Sequence, residues 1–442
     1  MDSAKKTIKT QEKGYLPRAL SLDILDDVVR KNGTPDDRLD FYLKKNNYLN
    51  LPREDIALCK TIVMTTLRRW AHIEQILLKY LKKTVRDHSP RVHLIIMIAI
   101  CQLVFLQSPP YAVVNLAIIQ TKNDKKSHKL KNLVNAILRK VSEDKDHFNI
   151  DQFDNLELIP KWMIDRWKNF YTSDEIKQIA DSVVNVPTLD ITLKKTDGKI
   201  AEELGGRSMI TGNIRINKFG FIPDIQYYHD GKWWVQDVAA CIPVKLIQGH
   251  IKNKRVVDLC AAPGGKTANL IDAGAKVTAI DSSIERLDIL KRNLKRLNFE
   301  ADVVHADSTR WITKLKYDGV LIDAPCSSTG VIRKNPDILR RKTHNLDYLT
   351  NLQHKLLING IELLKKGGLL VYCTCSIEKE EGEYQIERIM DEREDIIIKK
   401  ISTKDIGIFQ EFIHPKGYLR ILPNTIADGG NDGFFISILK KK

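Results

Sequence analysis

Cysteine is scarce in this chain and shows none of the spacings that mark export or metal binding. The seven cysteines (Cys59, Cys101, Cys241, Cys260, Cys326, Cys373 and Cys375) form no CxxC pair and no Cys/His cluster at zinc spacing, so a disulfide framework, a dithiol redox motif and a metal site are not expected. A reducing, cytoplasmic compartment follows as the expectation. A long apolar run is also missing. The most apolar stretch, LIIMIAICQLVFL at 94–106, falls well short of the roughly 20 residues that span a bilayer and reads as a buried core helix. MDSAKKTIKTQEKG carries the charges of a signal peptide with no apolar stretch behind them, so no membrane partner is expected. Two nucleotide-binding loops are absent as well. In DLCAAPGGKT a phosphate-binding P-loop would need glycine where Cys260 stands, and the GxGxxG of a dinucleotide site does not occur there, which disfavours nucleotide hydrolysis and nicotinamide or flavin chemistry.

Positive charge, by contrast, is plentiful. Lys and Arg (71) outnumber Asp and Glu (56), giving a net charge of +15. A polyanionic partner such as nucleic acid would account for this, and so would a Lys-rich composition bias. The basic segment TKNDKKSHKLK at 121–131 fits either an RNA contact or a solvated face.

The hydrophobic period divides the chain. Residues 15–140 carry helix-period runs separated by polar or Pro-containing breaks, which predicts an all-α bundle over 1–145. SEDKDHFNIDQFDN at 142–155 reads as a linker, and Pro160 suits the first turn of a following helix. Between about 186 and 235, LDITL, SMITGNIRIN, DIQYYHD and KWWVQD are short β-rich runs with helical AEELGG among them, so 146–240 is expected to hold linker helices and a small α/β subdomain. In KWWVQD alternation puts one tryptophan inside and leaves the other a candidate for stacking on RNA. From 241 to 442 buried-strand runs (RVVDLC, KVTAID, ADVVHAD, YDGVLIDAP, GGLLVYC) alternate with helical ones, the signature of a Rossmann-like α/β domain with a mostly parallel sheet.

Ligands of such sheets lie outside the carboxyl ends of the strands, and a carboxylate about 20 residues past the first turn can accept both ribose hydroxyls. Asp281 ends the second strand and is placed for a ribose. Asp307 ends the third and is placed for an adenine edge. A nucleoside without pyrophosphate, as in S-adenosylmethionine, suits that set. On the same rim YDGVLIDAPCSSTG brings Cys326, and GGLLVYCTCS brings Cys375. Alternation buries Cys373 within its strand as packing, whereas Cys375 stands past the last apolar residue and is placed for chemistry.

DLCAAPGGKT, DAPCSSTGVIRKNPD, YCTCS and the closing DGFF at 432–435 together resemble the RNA (cytosine-5)-methyltransferases, and IMIAICQLVFLQSPPYAVVNLAI with NLVNAILRK resembles the helical fold of the antitermination factor NusB. That pairing is similar to the Sun/RsmB family of 16S rRNA (cytosine-5)-methyltransferases. The resemblance implies a NusB-like RNA-binding bundle, a small α/β subdomain and a class I methyltransferase domain, in a monomer acting on 16S rRNA. It implies that Cys375 is the nucleophile adding to cytosine C6 and that Cys326 assists release. It further implies that Cys260, Ala261, Ala262, Pro263, Gly264, Gly265 and Lys266 bind S-adenosylmethionine, joined by Asp281, Asp307 and Asp323, with Asp323 and Lys266 also near the base. One departure stands out: relatives usually carry Arg and Asn in the strand matching LDITLKK, where this chain has Thr192, Lys194 and Lys195. Rival readings are the same chemistry on 23S rRNA or tRNA, and a non-enzymatic NusB-like RNA-binding protein. An adenine N6 enzyme is disfavoured, because Asp323-Ala-Pro-Cys326 is not the (Asp/Asn)-Pro-Pro-(Tyr/Phe) motif.

Overall fold

The computed structural model describes residues 12–442 apart from 32, 46–47, 82–84, 125–126, 195–197, 218, 342–344, 402–406 and 427–428. The chain divides into two units, Met1–Asn169 with Asn335–Lys342, and Phe170–Lys334 with Thr343–Lys442.

The first unit is helical: α1 Tyr15–Lys31, α2 Pro35–Leu43, α3 Arg53–Arg68, α4 Trp70–Tyr80, α5 Pro90–Ile100, α6 Pro110–Asn123, α7 Lys131–Asp144 and α8 Lys161–Trp167. Local sequence sets several of the starts. At α2 the Thr34 hydroxyl accepts the Asp37 N–H at 3.2 Å, Pro35 opens the helix, and Asp36 and Asp37 lie in its positive first turn. Helix α5 is apolar on all sides because all sides are covered: it is buried from Val92 onward and continues as a π-helical turn over Cys101–Phe105. The buried core helix expected at 94–106 is therefore present, with an altered last turn. Asn335–Lys342 joins this unit from the C-terminal half of the sequence. Ile338 and Leu339 are buried in it, and the Arg340 guanidinium donates to Leu158 O at 3.1 Å while lying 5.5 Å over the Trp70 ring.

The second unit begins with α9 Ser173–Val184, closed at its start by a reciprocal Thr172–Glu175 capping box. It continues through β1 Leu189–Leu193, α10 Gly198–Glu203, β2 Arg207–Ser208, β3 Asn213–Ile216 and β4 Trp233–Val235. These strands form an antiparallel sheet of order β2-β3-β1-β4. DIQYYHD, expected to be extended, is instead a run of turns, and Tyr227 at φ +66° has a left-handed backbone that no strand accommodates. The tryptophan reading also changes, since both side chains are buried. Trp233 fills the core of the small sheet and donates to Gln226 O at 2.8 Å, while Trp234 packs with Ala268, Leu297 and Phe299. Alternation failed because the sheet is covered on its second face too, so neither ring is free to stack on RNA.

The remainder is α11 Val238–Lys245, α12 Gln248–Ile251, β5 Arg255–Leu259, α13 Gly265–Asp272, β6 Lys276–Asp281, α14 Ile284–Leu297, β7 Asp302–His305, β8 Tyr317–Asp323, α15 Leu346–Leu363, β9 Leu364–Thr374, α16 Glu383–Glu392, β10 Ile396–Ile398, β11 Leu419–Ile421 and β12 Phe434–Lys441. The sheet order is β10-β12-β9-β8-β5-β6-β7, with β11 paired to β12. Strands β5 to β9 run parallel and β12 is antiparallel to β9. Strand β5 has β6 on one side and β8 on the other, so the order reverses there, and ligands of open α/β sheets bind beside that switch.

Candidate active site

Strand β5 delivers its chain to the rim through a turn that most residues resist. Cys260 has φ +64° and Gly264 φ +103°, and the latter caps the N-terminus of α13. A left-handed backbone at a non-glycine position costs of order 1–3 kcal/mol and is retained where surrounding structure fixes it. Here Ala261 N–H donates to Ile280 O at 2.9 Å and Ala262 N–H to Asp281 Oδ2 at 3.1 Å. Asp281 is buried, its other oxygen accepts Ser283 N–H at 3.0 Å, and Arg286 lies 3.6 Å away. It therefore anchors the turn 260–265, a use of the carboxylate that its position in the sequence did not disclose. Asp307, at the end of the neighbouring β7, is half-exposed. Thr309 donates to it through N–H (2.9 Å) and Oγ1 (2.7 Å), which holds its carboxyl below the usual range.

From the first turn of α13 Lys266 reaches Asp323 at the end of β8, with Nζ to Oδ2 at 2.7 Å. Burial works against the Lys266 charge, but the Asp323 carboxylate outweighs it and the ammonium stays protonated above the usual lysine range. Its Nζ also lies 5.1 Å over the Phe434 ring of the DGFF segment. Directly below, Thr267 Oγ1 donates to Asp258 Oδ2 at 2.6 Å, while Asp258 Oδ1 has no partner among the described residues. Burial pushes the Asp258 carboxyl up to about 7.

The thiols meet beside this pair. Cys326 Sγ and Cys375 Sγ are 3.5 Å apart, and Ser328 Oγ is 3.7 Å from Cys375 Sγ. The Cys326 hydrogen bond lowers the Cys375 thiol against the opposing effect of burial and Asp323, with Ser328 and Lys266 assisting. Cys326 is raised well above a free thiol by the same hydrogen bond, by burial and by the Glu381 carboxylate. Lys266 on one side and Glu381 on the other give this split a physical direction: ionisation is favoured at Cys375 over Cys326. Cys373 is fully buried within β9, 3.5 Å from Ile322 O, and its thiol is pushed far up by burial. It packs, as alternation predicts.

The loops carrying the two thiols are bound to each other. Gly330 N–H donates to Cys375 O at 3.0 Å and Gly433 N–H to Gly330 O at 2.8 Å. A Cβ at Gly330 would stand 2.3 Å from Gly433 O, so only glycine lets the three segments meet. Ser327 Oγ and Thr329 Oγ1 lie 3.0 and 3.2 Å from Ser376 Oγ, and Thr329 Oγ1 accepts Ile377 N–H at 3.1 Å. Ser328, beside the thiolate, has φ +62°.

The predicted residues thus fall into two groups. Turn 260–265, Asp281 and Asp307 line the rim over β5 to β7; Lys266, Asp323, Cys326 and Cys375 gather over β8 and β9. Sequence reasoning missed Ser328, Glu381, Gln353 and Phe434. The expected departure at β1 has a structural use: Thr192 Oγ1 donates to Gln236 Oε1 at 2.8 Å and Lys194 Nζ to Leu297 O at 2.6 Å, while Lys195 lies outside the described residues. Among the described residues no group of three or more His, Cys, Asp and Glu could hold a metal ion, and no helix is long and apolar enough to cross a membrane.

A parallel sheet of this order, with acids at successive strand ends and thiols at the switch side, defines a class I methyltransferase domain. Family models match at both ends of the chain: 16S rRNA methyltransferase RsmB/F over residues 247–440 and the NusB family over 16–143. Ribosomal RNA small subunit methyltransferase B of Erwinia tasmaniensis is 30% identical over 407 residues, covering 88% of this chain and 91% of the relative, and that of Proteus mirabilis is 29% identical over 415 residues, covering 89% and 92%. The crystal structure of PH0851 has the same fold, with a TM-score of 0.75 and 22% identity over 97% of this chain and 99% of that one. NSun6 from Pyrococcus horikoshii, solved with SFG, superposes over 65% of this chain and 99% of its own with a TM-score of 0.56 and 18% identity. The chain belongs to the RsmB/F family of rRNA methyltransferases. As a member it is an S-adenosylmethionine-dependent enzyme with a NusB-like helical domain ahead of the catalytic one.

Proposed function

We propose that this chain methylates C5 of one cytosine in 16S rRNA, in the cytoplasm and as a monomer, through a covalent bond between Cys375 and C6 of the base. The observation that carries the reading is the Cys375 sulfur, 3.5 Å from Cys326 Sγ, flanked by Ser328 and the Lys266–Asp323 pair, with its thiol shifted toward ionisation. The rim suits the cofactor chemically. Asp281, Asp307 and Asp323 are acceptors for ribose hydroxyls, an adenine edge and the methionine ammonium, and the turn 260–266 offers small residues through which backbone approaches a ligand. S-adenosylmethionine, when bound there, supplies an electrophilic methyl group on a cationic sulfur.

Cytosine C5 is a weak nucleophile, and Cys375 corrects that. Its thiolate adds to C6, the C5–C6 π pair becomes available at C5, and C5 takes the methyl group. Lys266 and Asp323 stand where they stabilise the changed charge of the ring. A base then removes the C5 proton, the C–H pair re-forms the C5–C6 double bond, and Cys375 leaves as a thiolate. Cys326 S–H stabilises that leaving thiolate by the hydrogen bond it makes in the free enzyme. Since a stacked base exposes neither face to both reactants, the target lies in a loop or is flipped out. The division of labour belongs to the same proposal: residues 1–145 bind RNA, 146–240 position it and 241–442 catalyse.

Methylation of purified 16S rRNA, 23S rRNA and tRNA, with bisulfite mapping of the product, tests the reading. One converted cytosine in 16S rRNA is expected. A site confined to 23S rRNA or tRNA replaces the substrate, and no C5 methylation on any of them overturns the proposal.

A further inference from the structure

Glu381 is a buried carboxylate that the chemistry above leaves without a task. It is fully shielded, and among the described residues no cation pairs with it. An uncompensated carboxylate in such a place is held at a cost and needs donors for both oxygens. All of its donors belong to the peptide that carries Cys326 or to Gln353. Ser327 N–H reaches Oε1 at 2.9 Å and Oε2 at 3.2 Å, Ser327 Oγ donates to Oε2 at 2.5 Å, and Gln353 Nε2 donates to Oε1 at 3.0 Å. The second Gln353 contact completes the picture, because the same Nε2 donates to Pro325 O at 2.9 Å. Gln353 is likewise fully buried. Pro325 and Ser327 are the neighbours of Cys326 on either side, so the pair grips the backbone before and after the thiol.

The grip is reinforced from the Cys375 side. Tyr372 Oη, on the strand that leads to Cys375, donates to Glu381 O at 2.8 Å, and Ser327 Oγ lies 3.0 Å from Ser376 Oγ, the residue after Cys375. Glu381 therefore refers the position of Cys326 to the strand that carries its partner. Its negative charge also opposes ionisation of Cys326, which keeps the proton on the thiol that donates.

We propose that Glu381 and Gln353 are the positioning residues for Cys326: together they clamp both flanking peptide units and hold its S–H on the Cys375 sulfur for release of the adduct. This rests on the reading of Cys375 as nucleophile and Cys326 as the releasing thiol. Both clamp residues are fully buried and bond to the peptide units around Cys326, so their loss is expected to fall on release rather than on binding or the first chemical step.

The test compares Cys326→Ala, Glu381→Gln and Gln353→Met in the full chain, with S-adenosylmethionine and 16S rRNA. Loss of a charge-assisted hydrogen bond corresponds to roughly tenfold slower turnover, with KM for RNA and cofactor little changed and a protein–RNA adduct accumulating on denaturing gels. Glu381→Asp, which keeps the charge, is expected to accumulate less adduct than Glu381→Gln. If Cys326→Ala traps the adduct while Glu381→Gln and Gln353→Met do not, the clamp is overturned and the nucleophile reading survives. If no variant traps it while methylation proceeds, Cys326 is dispensable for release and the clamp falls with that role, whereas methylation retained by Cys375→Ala would overturn the nucleophile reading itself. A uniform loss of cofactor binding, methyl transfer and release in the clamp variants also overturns the proposal, since that is the mark of general damage. Should Glu381→Gln not fold, Gln353→Met, which adds no charge, carries the comparison.

Discussion

Two regions of the second unit bury charge in opposite ways. In the small antiparallel sheet Arg215 meets Asp190 through two bonds of 2.7 and 2.8 Å, both side chains 2% exposed, and its Nη2 also donates to Gly430 O at 2.7 Å. That pair neutralises itself. At the rim of the large sheet Asp258 and Glu381 are buried with no cation bonded to either among the described residues, and Lys266 is already bonded to Asp323. Charge balanced within the protein makes structure, whereas at the rim burial pushes the Asp258 carboxyl up to about 7 and Glu381 relies on neutral donors, so the acids there are held without a cation of their own.

The largest expected effect is on the thiolate itself. Cys375→Ala should lower methyl transfer by at least about 10⁴-fold, as loss of a nucleophile does, with cofactor affinity near normal by calorimetry. The self-neutralised pair should break differently. Arg215→Met strands Asp190 and should cost roughly 3–5 kcal/mol in urea unfolding. Asp258 sharpens the contrast, since its removal should help. A carboxyl raised from 3.8 to about 7 makes the fold lose stability as pH rises between those values, by roughly 4 kcal/mol as an upper bound. Asp258→Asn, which can still accept from Thr267, should therefore be more stable than the parent at pH 8 and show no such gain at pH 4. The smallest effect is a displaced pH profile. Methyl transfer needs the thiolate, so its rate rises with pH to a plateau; Cys326→Ala removes the donor that lowers Cys375, and the acid limb in single-turnover assays should move to higher pH.

Much of the rim was legible in the sequence because it depends on chain order. Strand-end acids and cysteines follow from a period of two and a βα alternation, and these located Asp281, Asp307, Cys326 and Cys375 and separated Cys373 from Cys375. Long-range pairing was not legible. No periodicity marks Glu381 within SIEKEEGEY, yet it is buried, with donors brought to it by Ser327 and Gln353, distant in sequence. The second task of Asp281, anchoring the turn 260–265, was not legible either, because its backbone partner, Ala262, comes from a turn whose geometry has no signature in composition. One of the two tryptophans was left a candidate for stacking because alternation registers one covered face, and here Leu297 and Phe299 cover Trp234 on the other. Asn335–Asp337 ends a resembling motif, DAPCSSTGVIRKNPD, yet with the residues that follow it belongs to the helical unit.

The central claim, that Cys375 and not Cys326 bonds to the base, is tested most directly by trapping the adduct with Cys326→Ala on 16S rRNA, digesting protein and RNA, and locating the nucleotide by mass spectrometry. The account predicts a methylated cytidine on the peptide containing Cys375. A nucleotide on any other residue, or full methylation by Cys375→Ala, would contradict it.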